Sequence, residues 1–289
     1  MNERGAGAVW MTARGGLSLS RPVIMGIVNV TPDSFWDGGR HAGVAAALAH
    51  AERLVAEGAT VLDVGGESTR PGAQPVSAEE EIRRVVPVVR ALAAHLPDVP
   101  VSVDTVKGEV ARAVLAEGAA IINDVSGLRL DPDLGEAVAA AGAGLVLMHS
   151  RGTVAEMASY AVATYEGDVV EAVRAELVEG LERARRAGIA DAAVVLDPGL
   201  GFAKRTEHSV AVLAHLDRLL ELGRPVLVGP SRKRFIGQLS GGLPAEERLE
   251  GTLAACVVAL LAGARIFRVH DVRSVHRALD VAEAIRTTP

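Results

Sequence analysis

Asn29, Asp104, Asn123, Asp197, Lys233, Arg268 and His270 are the residues whose types and placement could do chemistry together. Carboxylates and amides can pair with a flat edge of ring donors and acceptors. A lysine is a compact point charge able to reach a ring nitrogen or carbonyl, which a planar guanidinium does poorly. Arginine offers a fork suited to phosphate oxygens. Arg268 and His270, two apart, project to the same side of an extended backbone. The seven share a position, because each sits at or just past the end of a short apolar run. The most informative stretch is NVTPDSFWDGG at 29–39, which follows such a run and offers an amide, two carboxylates and two hydroxyls among turn-forming residues.

Those runs are the elements that must position the seven. Eight occur, at 23–28, 61–64, 99–103, 119–122, 144–148, 193–196, 225–228 and 265–269. Mostly β-branched runs of this length read as buried parallel strands. Between them lie segments rich in Ala, Leu, Glu and Arg: 43–57, 78–95, 107–117, 132–141, 166–187, 207–222, 245–261 and 272–285. These residues favour helix, and apolar positions recur at three- and four-residue steps. Strand–helix alternation eight times over is the count of a (β/α)8 TIM barrel, and 289 residues fit a barrel of about 250 with a short extension. A doubly wound sheet would carry a G-x-G-x-x-G after its first strand, and none is present. In a barrel the C-terminal strand ends converge on one mouth, so residues distant in sequence become neighbours. Segments 9–13 and 17–20 around Arg14-Gly15-Gly16 predict a short β-hairpin closing the opposite end. Residues 1–20 are read as this extension, and 21–289 as a single barrel domain.

The global numbers agree with an enzyme core. Apolar residues make up 49% of the chain, enough for a barrel and its helix layer. The net charge of −6 disfavours a nucleic-acid partner. No secretory signal core occupies the first twenty residues, and the longest apolar run, 253–264, is too short to span a membrane. Cys256 is the sole cysteine, so no intrachain disulfide forms and the cytoplasm is the expected compartment. Of 30 basic residues only Lys107, Lys204 and Lys233 are lysines. Under such a bias a retained lysine is a candidate for chemistry.

Taken together, MGIVNVTPDSFWDGG (25–39), GGESTRPGA (65–73), SVDT (102–105), IND (122–124), DPGLGFAK (197–204), SRKRFIG (231–237) and RVHDV (268–272) resemble one family, the dihydropteroate synthases. The resemblance covers nearly the whole chain from Arg21. It implies condensation of 6-hydroxymethyl-7,8-dihydropterin diphosphate with p-aminobenzoate, giving 7,8-dihydropteroate and diphosphate in folate biosynthesis, the target of sulfonamides. By resemblance, Asp197 holds the pterin edge with Asp104 and Asn123, and Lys233 reaches its N5 and carbonyl side. Arg268 and His270 take the diphosphate. Asn29 joins that diphosphate to a Mg²⁺ ion, which prefers oxygen ligands. Thr69, Arg70, Pro71, Phe202 and Arg234 are expected around p-aminobenzoate, Arg234 standing where the family often has serine. Loops 31–39 and 68–75 are expected to close over the substrates. Asp37 is the carboxylate expected to stabilise a carbocation at the pterin methylene or to orient the amine, with Asp197 and Lys233 as its catalytic companions. Trp36 stands in the same loop where the family commonly has a small residue.

Two rivals differ in class. A corrinoid methyltransferase using methyltetrahydrofolate shares barrel and pterin recognition but needs no diphosphate pocket, so Arg268-x-His270 and Ser231-Arg232-Lys233 speak against it. A non-catalytic pterin-binding homologue would be expected to lose mouth residues, and the main ones are present. Lastly, Leu253, Ala254, Ala255, Val257, Val258, Leu260 and Leu261 are apolar over more than one helical face. A barrel helix buries only the face toward the strands. The excess predicts a twofold homodimer, and the family resemblance also points to dimers packed through the late helices.

Overall fold

The computed structural model describes residues 9–30, 40–68 and 74–288. An antiparallel hairpin comes first, β1 (Val9–Thr12) and β2 (Gly15–Ser18), with Val9 opposite Ser18. Eight parallel strands follow: β3 (Val23–Asn29), β4 (Val61–Gly65), β5 (Val101–Asp104), β6 (Ile121–Asp124), β7 (Gly144–Met148), β8 (Val194–Asp197), β9 (Leu227–Val228) and β10 (Ile266–Val269). Their order is β8-β7-β6-β5-β4-β3-β10-β9, and a parallel bridge from Leu196 to Val226 joins the two ends into a closed barrel. All eight strands lie where apolar runs predict them, within two residues at each end.

Helices wrap the outside: α1 (Arg40–Ala56), α2 (Ala78–His95), α3 (Gly108–Ala116), α4 (Pro132–Ala141), α5 (Val154–Met157), α6 (Val169–Arg186), α7 (Thr206–Ala214), α8 (Asp217–Leu220), α9 (Arg234–Leu239), α10 (Leu249–Ala262) and α11 (Val272–Thr287). Local chemistry sets their ends. Ser77 caps α2 by accepting from the Glu80 N–H, with Glu79, Glu80 and Glu81 in the first turn facing the helix dipole. Asp131 caps α4 ahead of Pro132, and Gly142 closes it at φ 59. Two of the eight expected segments are interrupted or shortened, and the short helices α5 and α9 lie outside them. The segment 207–222 breaks at His215 into α7 and α8, although Leu213, Leu216 and Leu219 stay buried through the break. Burial periodicity continues where the backbone does not. The segment from 245 begins as a 3-10 turn, and α10 starts only after Arg248, whose guanidinium is drawn inward to the carbonyls of Leu243 and Arg232.

Strand alternation splits the interior into two compartments. Outward residues such as Ile24, Leu62, Val103, Ile122 and Phe267 meet the helices. Inward residues at the N-terminal end of the lumen, among them Val61, Ile121, Val195 and Ile266, pack around Trp10 of the hairpin. Trp10 is fully buried and donates its indole N–H to the Ala193 carbonyl at 2.8 Å. Arg265 donates to the carbonyls of Leu19 and Ser20, fastening the entry to the barrel. The hairpin therefore plugs the bottom.

Trp10→Ala should destabilise the protein by about 3–5 kcal/mol, the usual cost of emptying an aromatic core position. Because the plug is opposite the mouth, ligand affinity at the mouth should stay within twofold in the folded variant. Urea unfolding reads the first and calorimetry the second. A loss below about 1 kcal/mol would contradict the plug.

Candidate active site

Above the apolar bottom layer the lumen turns polar. On β4 the inward positions continue from Val61 to Asp63 and Gly65, on β5 they are Ser102 and Asp104, on β6 Asn123, on β8 Asp197 and on β10 Arg268. Sheet register sets these neighbours: Asp63 lies opposite Ser102, Gly65 opposite Asp104, and Asp104 opposite Asn123.

Asp63 is the hub. It is fully buried. One carboxylate oxygen accepts from Ser102 Oγ at 2.6 Å. The other accepts from Asn123 Nδ2 at 3.2 Å and from Arg268 Nε at 2.6 Å. Arg268 also donates through Nη2 to Asp104 Oδ2 at 2.9 Å. One guanidinium thus bridges two carboxylates in the lumen, a charge-assisted arrangement that fixes all three side chains. Burial, followed by the Asp63 and Glu81 carboxylates, raises Asp104 to about 7 against the pull of Arg268.

Asp197 ends β8 with one oxygen accepting the Gly199 N–H at 2.7 Å, and burial raises it to about 6. Lys233 stands across the mouth with Nζ 3.7 Å from the centre of the Phe202 ring. Desolvation and then Arg268 lower it to about 8. The residue before it, Arg232, holds φ 56, a conformation costly for a side-chain-bearing residue. It persists because the Arg232 N–H donates to Thr252 Oγ1 at 3.1 Å and its guanidinium pairs with Asp271.

His270 has its Nδ1 3.0 Å from Ser231 Oγ, which also accepts the His270 backbone N–H at 3.2 Å. Desolvation, with Arg268 and Arg232 nearby, lowers it to about 3, so the ring is neutral at ordinary pH. With Ser231 as donor to Nδ1, the remaining ring N–H is a neutral donor for an oxyanion. A cavity of about 490 Å³ opens beside Asn29 and His270, bordered also by Arg53, Arg232 and Arg273. A Cβ at Gly65 would lie 3.8 Å from Asn29 Oδ1 and 3.9 Å from Asp104 Cβ, so glycine there keeps open the space between them.

The structure therefore brings Asn29, Asp104, Asn123, Asp197, Phe202, Lys233, Arg268 and His270 to the barrel mouth. Arg234 turns aside, its guanidinium 3.8 Å from the centre of the Tyr160 ring and 3.5 Å from the Ala158 carbonyl. Arg268 sits one strand position deeper than its expected phosphate-binding companion His270, on the carboxylates. Trp36, Asp37, Thr69, Arg70 and Pro71 lie outside the described residues. Asp63 was not singled out from the sequence. Its signal was a lone carboxylate inside the apolar run 61–64.

Fold and lumen chemistry define a pterin-binding barrel, and the profile of the family described as "Pterin binding enzyme" matches residues 25–270. The dihydropteroate synthase of Escherichia coli K12 is 47% identical over 271 residues, covering 93% of both chains. That of Mycobacterium leprae is 46% identical over 273 residues, covering 93% of this chain and 95% of its own. The Xanthomonas albilineans dihydropteroate synthase solved with 4-aminobenzoic acid has a TM-score of 0.90 at 49% identity, over 98% of this chain and 100% of that one. The same organism's enzyme in complex with 7,8-dihydropteroate gives 0.83 at 47% identity, over 95% and 97% of the two chains. The chain belongs to the dihydropteroate synthase family.

Asp63→Ala leaves the Arg268 guanidinium with one counter-charge in a desolvated site. Urea unfolding should show a loss of about 3–5 kcal/mol, the cost of breaking one partner from a buried ion pair. Asp63→Asn, which keeps the shape and the acceptor for Arg268, should lose less. Equal and negligible losses would mean that Asp63 is not the hub.

Proposed function

We propose that this chain condenses 6-hydroxymethyl-7,8-dihydropterin diphosphate with p-aminobenzoate, forming 7,8-dihydropteroate and diphosphate. The observation that carries this reading is the ring of complementary groups at one mouth. Asp197, Asp104 and Asn123 face Lys233, and the oxyanion donors of His270 and Asn29 lie beside them. Asn123 spends an N–H on Asp63, which orients its amide and leaves its carbonyl oxygen for the ring. Asp197 accepts the 2-amino and N3 hydrogens of the pterin, and Lys233 donates toward N5 and the ring carbonyl. The flat ring lies in the desolvated space where these groups converge, and desolvation strengthens each contact.

The pterin methylene then points out toward His270 and Asn29. His270 offers a neutral N–H to the diphosphate, and Arg268 has a further N–H beyond those given to Asp63 and Asp104. Asn29 Oδ1, with Gly65 leaving space beside it, suits a hard cation shared with substrate oxygens, so Mg²⁺ fits here. When bound, Mg²⁺ would neutralise charge on the departing diphosphate. As the carbon–oxygen bond to diphosphate breaks, the cation at the methylene is delocalised into the pterin ring and is met by the p-aminobenzoate nitrogen, which loses a proton. Asp37 is placed in this reading as the carboxylate that steadies the cation. Phe202 supplies a wall for the p-aminobenzoate ring, Thr69, Arg70 and Pro71 are assigned to the same substrate, and at Arg234, whose guanidinium is turned onto Tyr160, the backbone N–H is the group assigned to its carboxylate. The relative from Yersinia pestis solved as a sulfonamide drug complex, 44% identical with a TM-score of 0.89, makes sulfonamides the natural inhibitors to try.

Among the described residues no helix is long and apolar enough to cross a membrane, and a cytoplasmic enzyme is proposed. A homodimer is also proposed. Ala255, Cys256, Ala259 and Leu260 of α10 pack inward, whereas Val258 is 48% and Leu261 57% exposed on its other face. The adjacent α11 exposes Val281 and Ile285. An apolar face shared by two neighbouring helices suits a twofold partner.

Lys233→Ala should fold normally yet lose about a hundredfold or more in kcat/KM for the pterin diphosphate. In the wild type that parameter should be bell-shaped in pH. It should fall below about 6, where Asp197 takes a proton and ceases to accept, and above about 8, where Lys233 loses the proton it donates. A flat profile, or an active Lys233→Ala, counts against the assignment. Light scattering should give a mass near twice 29.9 kDa, falling to the single-chain mass in Val258→Glu. A monomeric wild type would rule out the dimer.

A further inference from the structure

Lys204 is one of the chain's three lysines, and the reaction above gives it no task. Its side chain is nevertheless only 1% exposed. Lysine is seldom taken so far from water unless its charge is matched. Nζ donates to His149 Nδ1 at 2.7 Å, to the Gly199 carbonyl at 3.2 Å and to the Phe202 carbonyl at 3.2 Å. An ammonium has three N–H bonds, and three acceptors surround it. With Nδ1 accepting, the His149 proton is on Nε2 and is donated to Glu176 at 3.1 Å, a carboxylate that also takes Arg151.

The loop that Lys204 ties down is the one that carries Asp197. Gly199 gives its N–H to Asp197 Oδ1 while its carbonyl accepts from Lys204. It holds φ 66 against the chain, and a Cβ there would overlap the His149 carbonyl. The His149 N–H donates to the Asp197 carbonyl at 2.9 Å. Phe202, whose carbonyl Lys204 also holds, lies beneath Lys233. Ala203 holds φ 47 and is pinned by its N–H to the Met157 carbonyl and by Tyr165 Oη on its own carbonyl. A strained loop is thus wrapped around one ammonium.

We infer that Lys204 is a positioning residue for the pterin-holding carboxylate. Its buried ammonium closes loop 198–203 on Asp197, and its charge behind that carboxylate keeps it ionised to receive the ring's N–H groups. The inference rests on the reading of Asp197 as the partner of the pterin. The titratable and charged groups around Lys204 are Asp197 on β8, Glu176 on α6, His149 and Arg151 after β7, His208 on α7 and Lys233 before α9. Those facing Asp197 are Lys233, Lys204 and Arg268. Burial lowers Lys204 to about 7 and raises Asp197 to about 6. Removing the Lys204 charge pushes Asp197 higher, so its carboxylate forms only at higher pH. Above about 7 the wild type also sheds the Lys204 charge, so wild type and variant should converge as pH rises.

The test is calorimetric titration of the purified chain with 6-hydroxymethyl-7,8-dihydropterin diphosphate between pH 6 and 9. Wild type, Lys204→Met and Lys204→Gln are compared, the last keeping donors without charge. Near pH 6.5 both variants should bind about threefold more weakly, as for a carboxylate raised by one pH unit from about 6, and the gap should narrow by pH 9. A loss of the same size at every pH would mark a merely structural residue and overturn the proposal. Unchanged binding would overturn it too, as would failure of both variants to fold. If the wild type itself does not bind, the synthase reading falls and takes the inference with it, an outcome distinct from a wild type that binds and variants that match it.

Discussion

A single guanidinium in the barrel lumen sets the terms for the rest of the structure. Arg268 lies between Asp63 and Asp104, and neither side tolerates the removal of the other. Without Arg268 two desolvated carboxylates would face each other across neighbouring strands. Without the carboxylates a buried cation would stand unmatched. Net stability from such a group is not its main effect, because desolvation offsets much of the attraction. Its effect is geometric. Asp63 is held by three donors and in turn orients Asn123 and Ser102. The hydrogen-bond pattern at the floor of the mouth therefore has one arrangement.

From that floor the chemistry of the mouth follows. Desolvation raises the carboxyls of Asp104 and Asp197 and lowers the ammonium of Lys233. Acid and base are thereby brought near neutrality, where they can exchange roles with a ligand. The backbone contributes as well. The described non-glycine residues with positive φ are Leu128, Ala203 and Arg232, each in a loop leaving the C-terminal end of a strand. Asp124 takes the N–H groups of Ser126 and Leu128, Tyr165 and Met157 hold Ala203, and Asp271 and Thr252 hold Arg232. Strain placed at the mouth is countered by contacts from several elements, which keeps the site organised before any ligand arrives.

Much of this was legible in the sequence, for identifiable reasons. Strands buried on both faces read as continuous apolar runs, so all eight were visible, and their polar ends pointed to Asn29, Asp104, Asn123, Asp197, Lys233 and His270. The same continuity hid Asp63. With both faces of β4 buried, nothing in the run says that its third residue points into the lumen rather than toward a helix. Lys204 was visible as a scarce residue, but its burial depends on three acceptors assembled from its own loop and from the residue after β7, which come together only after folding. The break at His215 was invisible because the buried leucines keep their spacing across it. Arg234 could be placed at the start of a helix, but its direction is decided by Tyr160, far away in sequence.

Every role given to the groups at this mouth depends on its joining a pterin diphosphate to an aromatic amine. The most direct measurement incubates the purified wild-type chain with 6-hydroxymethyl-7,8-dihydropterin diphosphate, labelled p-aminobenzoate and Mg²⁺, and resolves the products. The expected result is labelled 7,8-dihydropteroate with one diphosphate released per condensation, and no product when either substrate is left out. Recovery of both substrates unchanged by folded protein, or diphosphate release with no carbon–nitrogen bond formed, would contradict the account.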